Sequence, residues 1–100
     1  MPASLRADDD DADDLREWIA AREGLEHLRV RRRADLLTLV SGDEADSIPH
    51  ARFRRSTVHL WTLECATHTG RFERTGFRDT LPRLFELLIS TFPWVVAPIE

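Results

Sequence analysis

Arginine is the residue type in this sequence with the greatest capacity for recognition chemistry. All 14 basic residues of the 100-residue chain are arginine, and a guanidinium makes planar, paired hydrogen bonds to carboxylate or phosphate groups. Two segments place arginine at every second position, and we name these five residues the arginine stripe: Arg29, Arg31, Arg33, Arg52 and Arg54. Because alternate residues of a strand share one face, the spacing predicts that each segment presents its arginines on one side of a sheet.

Two interpretations of the arginine stripe stay open. If its two strands lie in one sheet with their arginine faces aligned, the stripe forms a cationic platform, with Trp61 or His59 beside it. Such a platform binds an acidic protein segment, or the phosphates and stacked bases of single-stranded nucleic acid. Alternatively, the arginines form a solvated face and pair across strands with Asp35, Glu64 and Glu73.

A second group of reactive side chains surrounds the single cysteine. His59, Cys65 and His68, with His50 as a fourth member, are side chains that zinc accepts as ligands. Cys65 and His68 also form a candidate nucleophile and base. Their spacing matches no standard zinc motif, and a buried cysteine usually behaves as a small hydrophobe. We therefore predict no metal, no cofactor and no catalytic residue, with chemistry at Cys65 and His68 as the remaining alternative.

Composition and charge restrict the class of protein. Apolar residues make up 42% and charged residues 32% of the chain, which is typical of a soluble globular domain. No apolar tract reaches the ~18–20 residues that a membrane span requires. The acidic run Asp8–Asp14 stands where a signal peptide would need apolar residues. Together with the single cysteine, these features favour the cytoplasm, and the net charge of −4 disfavours tight non-specific binding of nucleic acid.

The elements that must position the arginines begin with a helix. The spacing of Leu15, Trp18 and Ile19 predicts an amphipathic helix over residues 12–23, with Gly24 after its last turn. Because runs of like charge are usually solvated, residues 1–11 are predicted to be a flexible acidic tail.

Five segments then have the pattern of antiparallel strands. They are predicted at residues 27–31, 36–40, 51–55, 58–65 and 71–75. A tight turn at Ala34 and Asp35 joins the first two, and residues 41–49 form a loop. The second and fourth segments carry apolar side chains on both faces, which predicts strands covered on both sides of the sheet.

A second helix is predicted after the strands. Asp79 or Thr80 caps it, and Pro93 ends it. Its buried stripe is predicted from helical spacing as Leu81, Leu84, Phe85 and Leu88. The order of one helix, about five antiparallel strands and one helix predicts a single α+β domain over residues 12–100.

Several motifs in the second half of the chain carry a family resemblance. They are Ala51-Arg52-Phe53-Arg54, Leu60-Trp61-Thr62-Leu63, Gly70-Arg71-Phe72 and the leucines of the last helix. This half resembles a family of small uncharacterised bacterial proteins, known only as a domain of unknown function. The resemblance implies an arginine–aromatic strand, a tryptophan strand and a C-terminal helix, and it implies no activity.

The apolar C-terminal tail predicts contact with another protein. Apolar side chains on both faces of two strands exceed what two short helices cover, and surplus apolar surface marks interfaces. Twofold pairing is the commonest way to bury such a surface, so we predict a homodimer. The candidate interface residues are Phe92, Trp94, Val95, Val96 and Ile99. We therefore predict a noncatalytic binding or regulatory module that acts through protein–protein contact, with RNA or single-stranded nucleic acid as the alternative partner.

Overall fold

A five-stranded antiparallel sheet forms the centre of the fold, as the alternating segments predict. The computed structural model describes residues 6–98. The strands are β1 (Arg29–Arg33), β2 (Leu36–Ser41), β3 (Ile48–Arg55), β4 (Trp61–Ala66) and β5 (Phe72–Asp79). They lie in the sheet in chain order, so each strand pairs with its neighbour in sequence. Two helices, α1 (Asp9–Ala20) and α2 (Leu81–Thr91), flank the strands in sequence. The predicted α+β class is confirmed.

The start of α1 corrects the predicted acidic tail. The side chain of Asp8 accepts a hydrogen bond from the backbone N–H of Asp11 at 2.9 Å, and the Asp11 carboxylate accepts one from the N–H of Asp8 at 3.2 Å. This reciprocal cap starts the helix at Asp9 rather than at residue 12. Residues 9–11 therefore form the first helical turn, where negative charge is favourable. Residues 1–5 of the predicted tail lie outside the described residues.

Both helices pack on the same side of the sheet. Leu37, Phe53 and Leu63 are register partners on adjacent strands, and all three are fully buried. Above them the helices contact each other through Trp18 and Phe85, whose ring centroids are 5.8 Å apart. The prediction that strands are covered on both sides is therefore wrong. Among residues 6–98, both helices cover one side of the sheet, and no helix covers the other side. We call the covered side the helix face and the other side the open face.

The predicted fourth strand is too long at its start. The backbone N–H groups of Ser56 and Thr57 both donate to the carbonyl of Leu60, at 2.8 and 3.1 Å. These bonds close a turn through residue 60, so β4 begins at Trp61, and Val58 is left exposed. Along β4, apolar residues occupy the helix face, while Thr62 and Glu64 alternate with them.

The fifth strand is longer than predicted. It continues to Asp79, beyond the predicted end at Thr75. The register between β4 and β5 shifts between Thr62 and Glu64, and Gly76 has a φ of +85° in β5. Glycine adopts this left-handed conformation readily but contributes no side chain to the alternation, which explains why the second half of this strand was missed.

The N-terminal part of the chain contacts the outer edge of β1 and the turn that follows it. The predicted turn at Ala34 and Asp35 is present, and the N–H of Ala7 donates to the carbonyl of Ala34 at 2.9 Å. The Arg16 guanidinium donates to the carbonyl of Val30 at 3.4 Å. These contacts engage one carbonyl group of the edge strand and one of the turn that follows it.

The second helix follows its prediction closely. It begins after Thr80, and its buried residues are those that helical spacing selects: Leu81, Leu84, Phe85 and Leu88. A short 3₁₀ helix (Pro93–Val95) follows it. Neither helix in residues 6–98 has the length and apolar character to cross a membrane.

Candidate functional site

Strand register brings the arginine stripe together on the open face. Arg31 pairs with Thr38 of β2, which in turn pairs with Arg52 of β3. Two residues along, Arg33 pairs with Leu36 of β2, which in turn pairs with Arg54 of β3. Arg29 shares the same side of β1 by alternation. The alignment that a cationic platform requires is therefore present.

β5 adds two arginines to the open face that the sequence did not reveal. Arg74 pairs with Glu64, and Arg78 pairs with Thr62. Both arginines are exposed. Arg74 and Arg78 share the same alternation through Gly76, but Arg78 lies beyond Thr75, where the predicted strand ends. Charged residues thus occupy both outer strands of the face as well as its centre.

An ion-pair network occupies the centre of the open face. Glu64 is only 4% exposed, and its two carboxylate oxygens lie 2.9 Å from Nε of Arg52 and 3.1 Å from Nε of Arg54. Arg54 also reaches Asp35, with Nη1 3.3 Å from the carboxylate. Cross-strand pairing, one of the two interpretations of the stripe, therefore applies to its two β3 arginines.

The electrostatics of this network keep its members charged. Burial alone would raise the pKa of Glu64, but the hydrogen bonds and charges of Arg52 and Arg54 outweigh burial and lower it. The hydrogen bond to Glu64 raises the pKa of Arg54. Arg52 also lies over the ring of Phe72, 4.1 Å from its centroid, in a cation–π contact. The β3 arginines are thus held in fixed positions as part of the structure.

The three arginines of β1 have a different environment, and we call them the β1 row. Arg29, Arg31 and Arg33 are exposed. Within residues 6–98, no ion pair joins any of them to an acidic side chain. Arg29 donates to the carbonyl of Gly42 and Arg31 to the hydroxyl of Ser47, which are both neutral. The β1 row therefore carries positive charge without a carboxylate partner from this part of the chain.

The aspartate run at the N-terminus pairs with arginines of the opposite face. Asp9 lies 2.9 Å from Arg32, and Asp11 lies 3.3 Å from Arg55. Arg32 pairs in register with Leu37, a residue of the helix face. These ion pairs tie α1 to the sheet and leave the β1 row available.

The cysteine and histidine group is not assembled as a site. In the described part of the chain, no three side chains of the metal-binding types come together, so His50, His59, Cys65 and His68 do not form a ligand set there. No hydrogen bond joins Cys65 to His68 among the described residues. Burial raises the pKa of the Cys65 thiol, which disfavours the thiolate that nucleophilic chemistry requires.

A serine–histidine contact was missed by the sequence analysis. Ser41 Oγ lies 2.7 Å from Nε2 of His50, and Nδ1 of His50 lies 2.8 Å from the carbonyl oxygen of Val95. Because the carbonyl only accepts, Nδ1 carries a hydrogen and the serine hydroxyl donates to Nε2. Ser41 and His50 are 7% and 3% exposed, so little of either side chain is open to solvent. The hydrogen bond from His50 to Val95 holds the 3₁₀ helix against the sheet.

Most of the predicted interface residues pack inside this chain. Val96 is 3% exposed, and Phe92 and Val95 are partly buried against the core. Trp94 is different because 68% of it is exposed, with its ring centroid 5.7 Å from that of Phe92. Ile99 lies outside the described residues. An interface in this region would therefore depend on Trp94.

A cleft of about 720 Å³ opens between the end of α1 and the start of β1. Its floor includes Ile19, Leu25 and Leu28, which are buried apolar residues. Arg22 at its rim already pairs with Glu86. The cleft offers an apolar floor but shows no arrangement of polar groups that specifies a ligand.

Comparison with known proteins finds no matching family model, curated protein or solved structure. The family resemblance of residues 51–100 stays a prediction. The geometry and charge of the open face are therefore the features from which a function is inferred.

Proposed function

We propose that this protein is a noncatalytic binding module that holds an acidic protein segment on its open face. The observation that carries the proposal is the β1 row, in which Arg29, Arg31 and Arg33 are exposed side by side without a carboxylate partner in the described chain. Guanidinium groups bind carboxylates through charge-assisted, geometrically specific hydrogen bonds. The β3 arginines, fixed by Glu64, provide a rigid floor beside the row.

An acidic protein is favoured over single-stranded nucleic acid by the aromatic residues. Nucleic-acid binding on a sheet uses exposed rings on which bases stack. Trp61 belongs to the helix-face core and is only 3% exposed. Phe72 lies on the open face, but Arg52 covers its ring at 4.1 Å.

Side-chain chemistry supports the noncatalytic role and the compartment that we propose. Burial of Ser41 and His50 and the raised pKa of Cys65 disfavour their use as nucleophiles or bases, which supports a role in binding. A single cysteine supports a reducing compartment, and we propose the bacterial cytoplasm.

A binding assay with two probes tests this function. A fluorescent glutamate-rich peptide and a single-stranded RNA of equal charge are titrated with the protein at low and moderate salt, and anisotropy is followed. We expect the peptide to bind more tightly, with affinity that falls as salt rises. Tighter binding of the RNA would establish the nucleic-acid alternative instead. Binding of neither probe would overturn the proposal.

A pair of matched variants assigns the binding to the face. The double substitution Arg31→Gln and Arg33→Gln removes two charges from the β1 row. The control, Arg71→Gln and Arg83→Gln, removes two exposed arginines that lie outside the strands. We expect the first variant to lower peptide affinity about three- to tenfold, since exposed ion pairs each contribute roughly 0.2–1 kcal/mol. An equal loss in both variants would show a general charge effect rather than a site.

A second copy of the chain is the other partner that we propose. The exposure of Trp94 beside Phe92 favours it, and Phe77, which is 41% exposed, lies on the other side of Phe92 at 6.0 Å between ring centroids. Exposed aromatic clusters are commonly covered by a partner. This contact lies apart from the β1 row, so both kinds of binding are compatible.

A further inference from the structure

The spacing of the β1 row specifies the form of its ligand. We infer that the partner segment is an extended chain with an acidic residue at every second position and that it lies along β1 on the open face. The inference rests on the proposed function. Arg29, Arg31 and Arg33 occupy alternate positions of a strand, which places neighbouring members roughly 6.6–6.8 Å apart. An extended ligand repeats its side chains on one side at this same interval.

Contacts at the outer edge of β1 disfavour the simplest alternative, addition of the ligand as a sixth strand. Such addition uses the free backbone groups of an edge strand. Here the carbonyl of Ala34 accepts from Ala7, and the carbonyl of Val30 accepts from Arg16. Because one carbonyl of β1 and the carbonyl of the turn that follows it are already engaged, contacts made by side chains along the face of β1 are favoured for the ligand.

The β2 residues next to the β1 row favour a ligand that has a single line of acidic residues. In register with the row lie Val40, Thr38 and Leu36 of β2, which carry no charge. The next charged residues, Arg52 and Arg54, already pair with Glu64. A ligand therefore gains carboxylate–guanidinium contacts along β1 and few across the sheet.

Neutral hydrogen-bond partners already hold two arginines of the β1 row in place, which favours the binding of carboxylates. Gly42 and Ser47 hold the guanidinium groups of Arg29 and Arg31 through a carbonyl and a hydroxyl. A guanidinium has five N–H donors, so these neutral contacts leave donors for a ligand. The side chains are thereby partly ordered before binding, which reduces the entropy lost on binding.

Two peptides of identical composition test the inference. In one peptide three glutamates alternate with three threonines, and in the other the three glutamates precede the three threonines. Extended backbone turns all three alternating glutamates to the same side, whereas a contiguous run of three turns only two of them there. We expect the alternating peptide to bind about two- to fivefold more tightly, which corresponds to losing roughly one exposed ion pair. Equal affinity would overturn the inference and leave the proposed function intact, whereas binding of neither peptide would overturn both.

Two single substitutions locate the peptide. Arg31→Gln is at the middle of the β1 row, and Arg78→Gln is on β5 of the same face. Both positions are exposed, so both variants should fold, and circular dichroism checks this. We expect Arg31→Gln to reduce the preference for the alternating peptide and Arg78→Gln to keep it. Loss of the preference with Arg78→Gln alone would place the segment on β5 and contradict the inference.

Discussion

Glu64 and Arg52 form a partly buried ion pair between β4 and β3. One carboxylate oxygen of Glu64 lies 2.9 Å from Nε and 2.8 Å from Nη2 of Arg52. The Glu64 side chain is 5% exposed and that of Arg52 is 23% exposed. This pair divides the stripe into two parts: Arg52 and Arg54 are paired within the face, whereas the arginines of the β1 row have no carboxylate partner among residues 6–98.

Charge reversal tests this division of roles. Arg52→Glu places a second carboxylate beside the buried Glu64, and we expect it to lower the free energy of unfolding by about 2–4 kcal/mol. Arg31→Glu changes the same charge at an exposed position and should alter stability by less than about 0.5 kcal/mol. Urea unfolding followed by circular dichroism measures both. Equal effects of the two substitutions would contradict the division.

Stability should fall as the solution is acidified through the titration range of histidine. Burial lowers the pKa of His50 below its ordinary value of about 6.5, with a smaller contribution from the charge of His27, against the hydrogen bond to Val95. The unfolded chain then binds the proton more readily than the folded protein does. Stability is therefore complete above about pH 6.5 and decreases below it until the folded His50 is itself protonated. Urea midpoints between about pH 7.5 and 5.5 measure this effect.

The variant His50→Gln provides the control for this pH dependence. The stability of this variant at the highest pH serves as its own reference. Only the slope of its stability against pH is compared with that of the unaltered protein. We expect a shallower slope than in the unaltered protein. An unchanged slope would assign the pH dependence to other groups.

Cys65 should react slowly with thiol reagents. Burial raises the pKa of its thiol, and the thiolate is the reactive form. We expect native-state labelling to be slower than labelling of the urea-unfolded chain at the same pH. Cys65→Ser should fold and bind the acidic peptide like the unaltered protein. Native labelling as fast as in the unfolded chain would show that Cys65 is accessible and reactive.

Trp94 should control self-association. Light scattering at micromolar concentration should give a mass near twice the 11.6 kDa of one chain, and Trp94→Ala should return it toward the monomer. Because Trp94 is 68% exposed, this substitution should change the free energy of unfolding of the monomer by less than about 1 kcal/mol. A monomeric mass for the unaltered protein would overturn the proposal of a dimer.

The sequence predicted those features that depend on local periodicity. Alternation located the β1 row beside Val30, and helical spacing selected Leu84 and Phe85 of α2 as buried residues. The start of β4 was missed because the turn closed by Leu60 contains the apolar Val58, which resembles a strand residue. Periodicity identifies a face but does not show where hydrogen bonding ends.

Features of the site that depend on long-range contacts were less accessible. Glu64 was identified as a cross-strand partner, but its burial depends on the register of three strands. Arg78 was missed because it lies beyond Thr75, where the predicted strand ended, and Gly76 contributes no side chain to the alternation. The contact of His50 with Val95 joins residues 45 positions apart, and no local pattern marks it.

An NMR titration tests whether the open face binds an acidic partner. The uniformly ¹⁵N-labelled protein is titrated with the unlabelled glutamate–threonine peptide, and backbone amide shifts are followed. We expect the largest changes on Arg29–Arg33 and on β2, with small changes on α1 and α2. Changes concentrated on the helices or around Trp94, or no saturable change at all, would contradict binding at the open face.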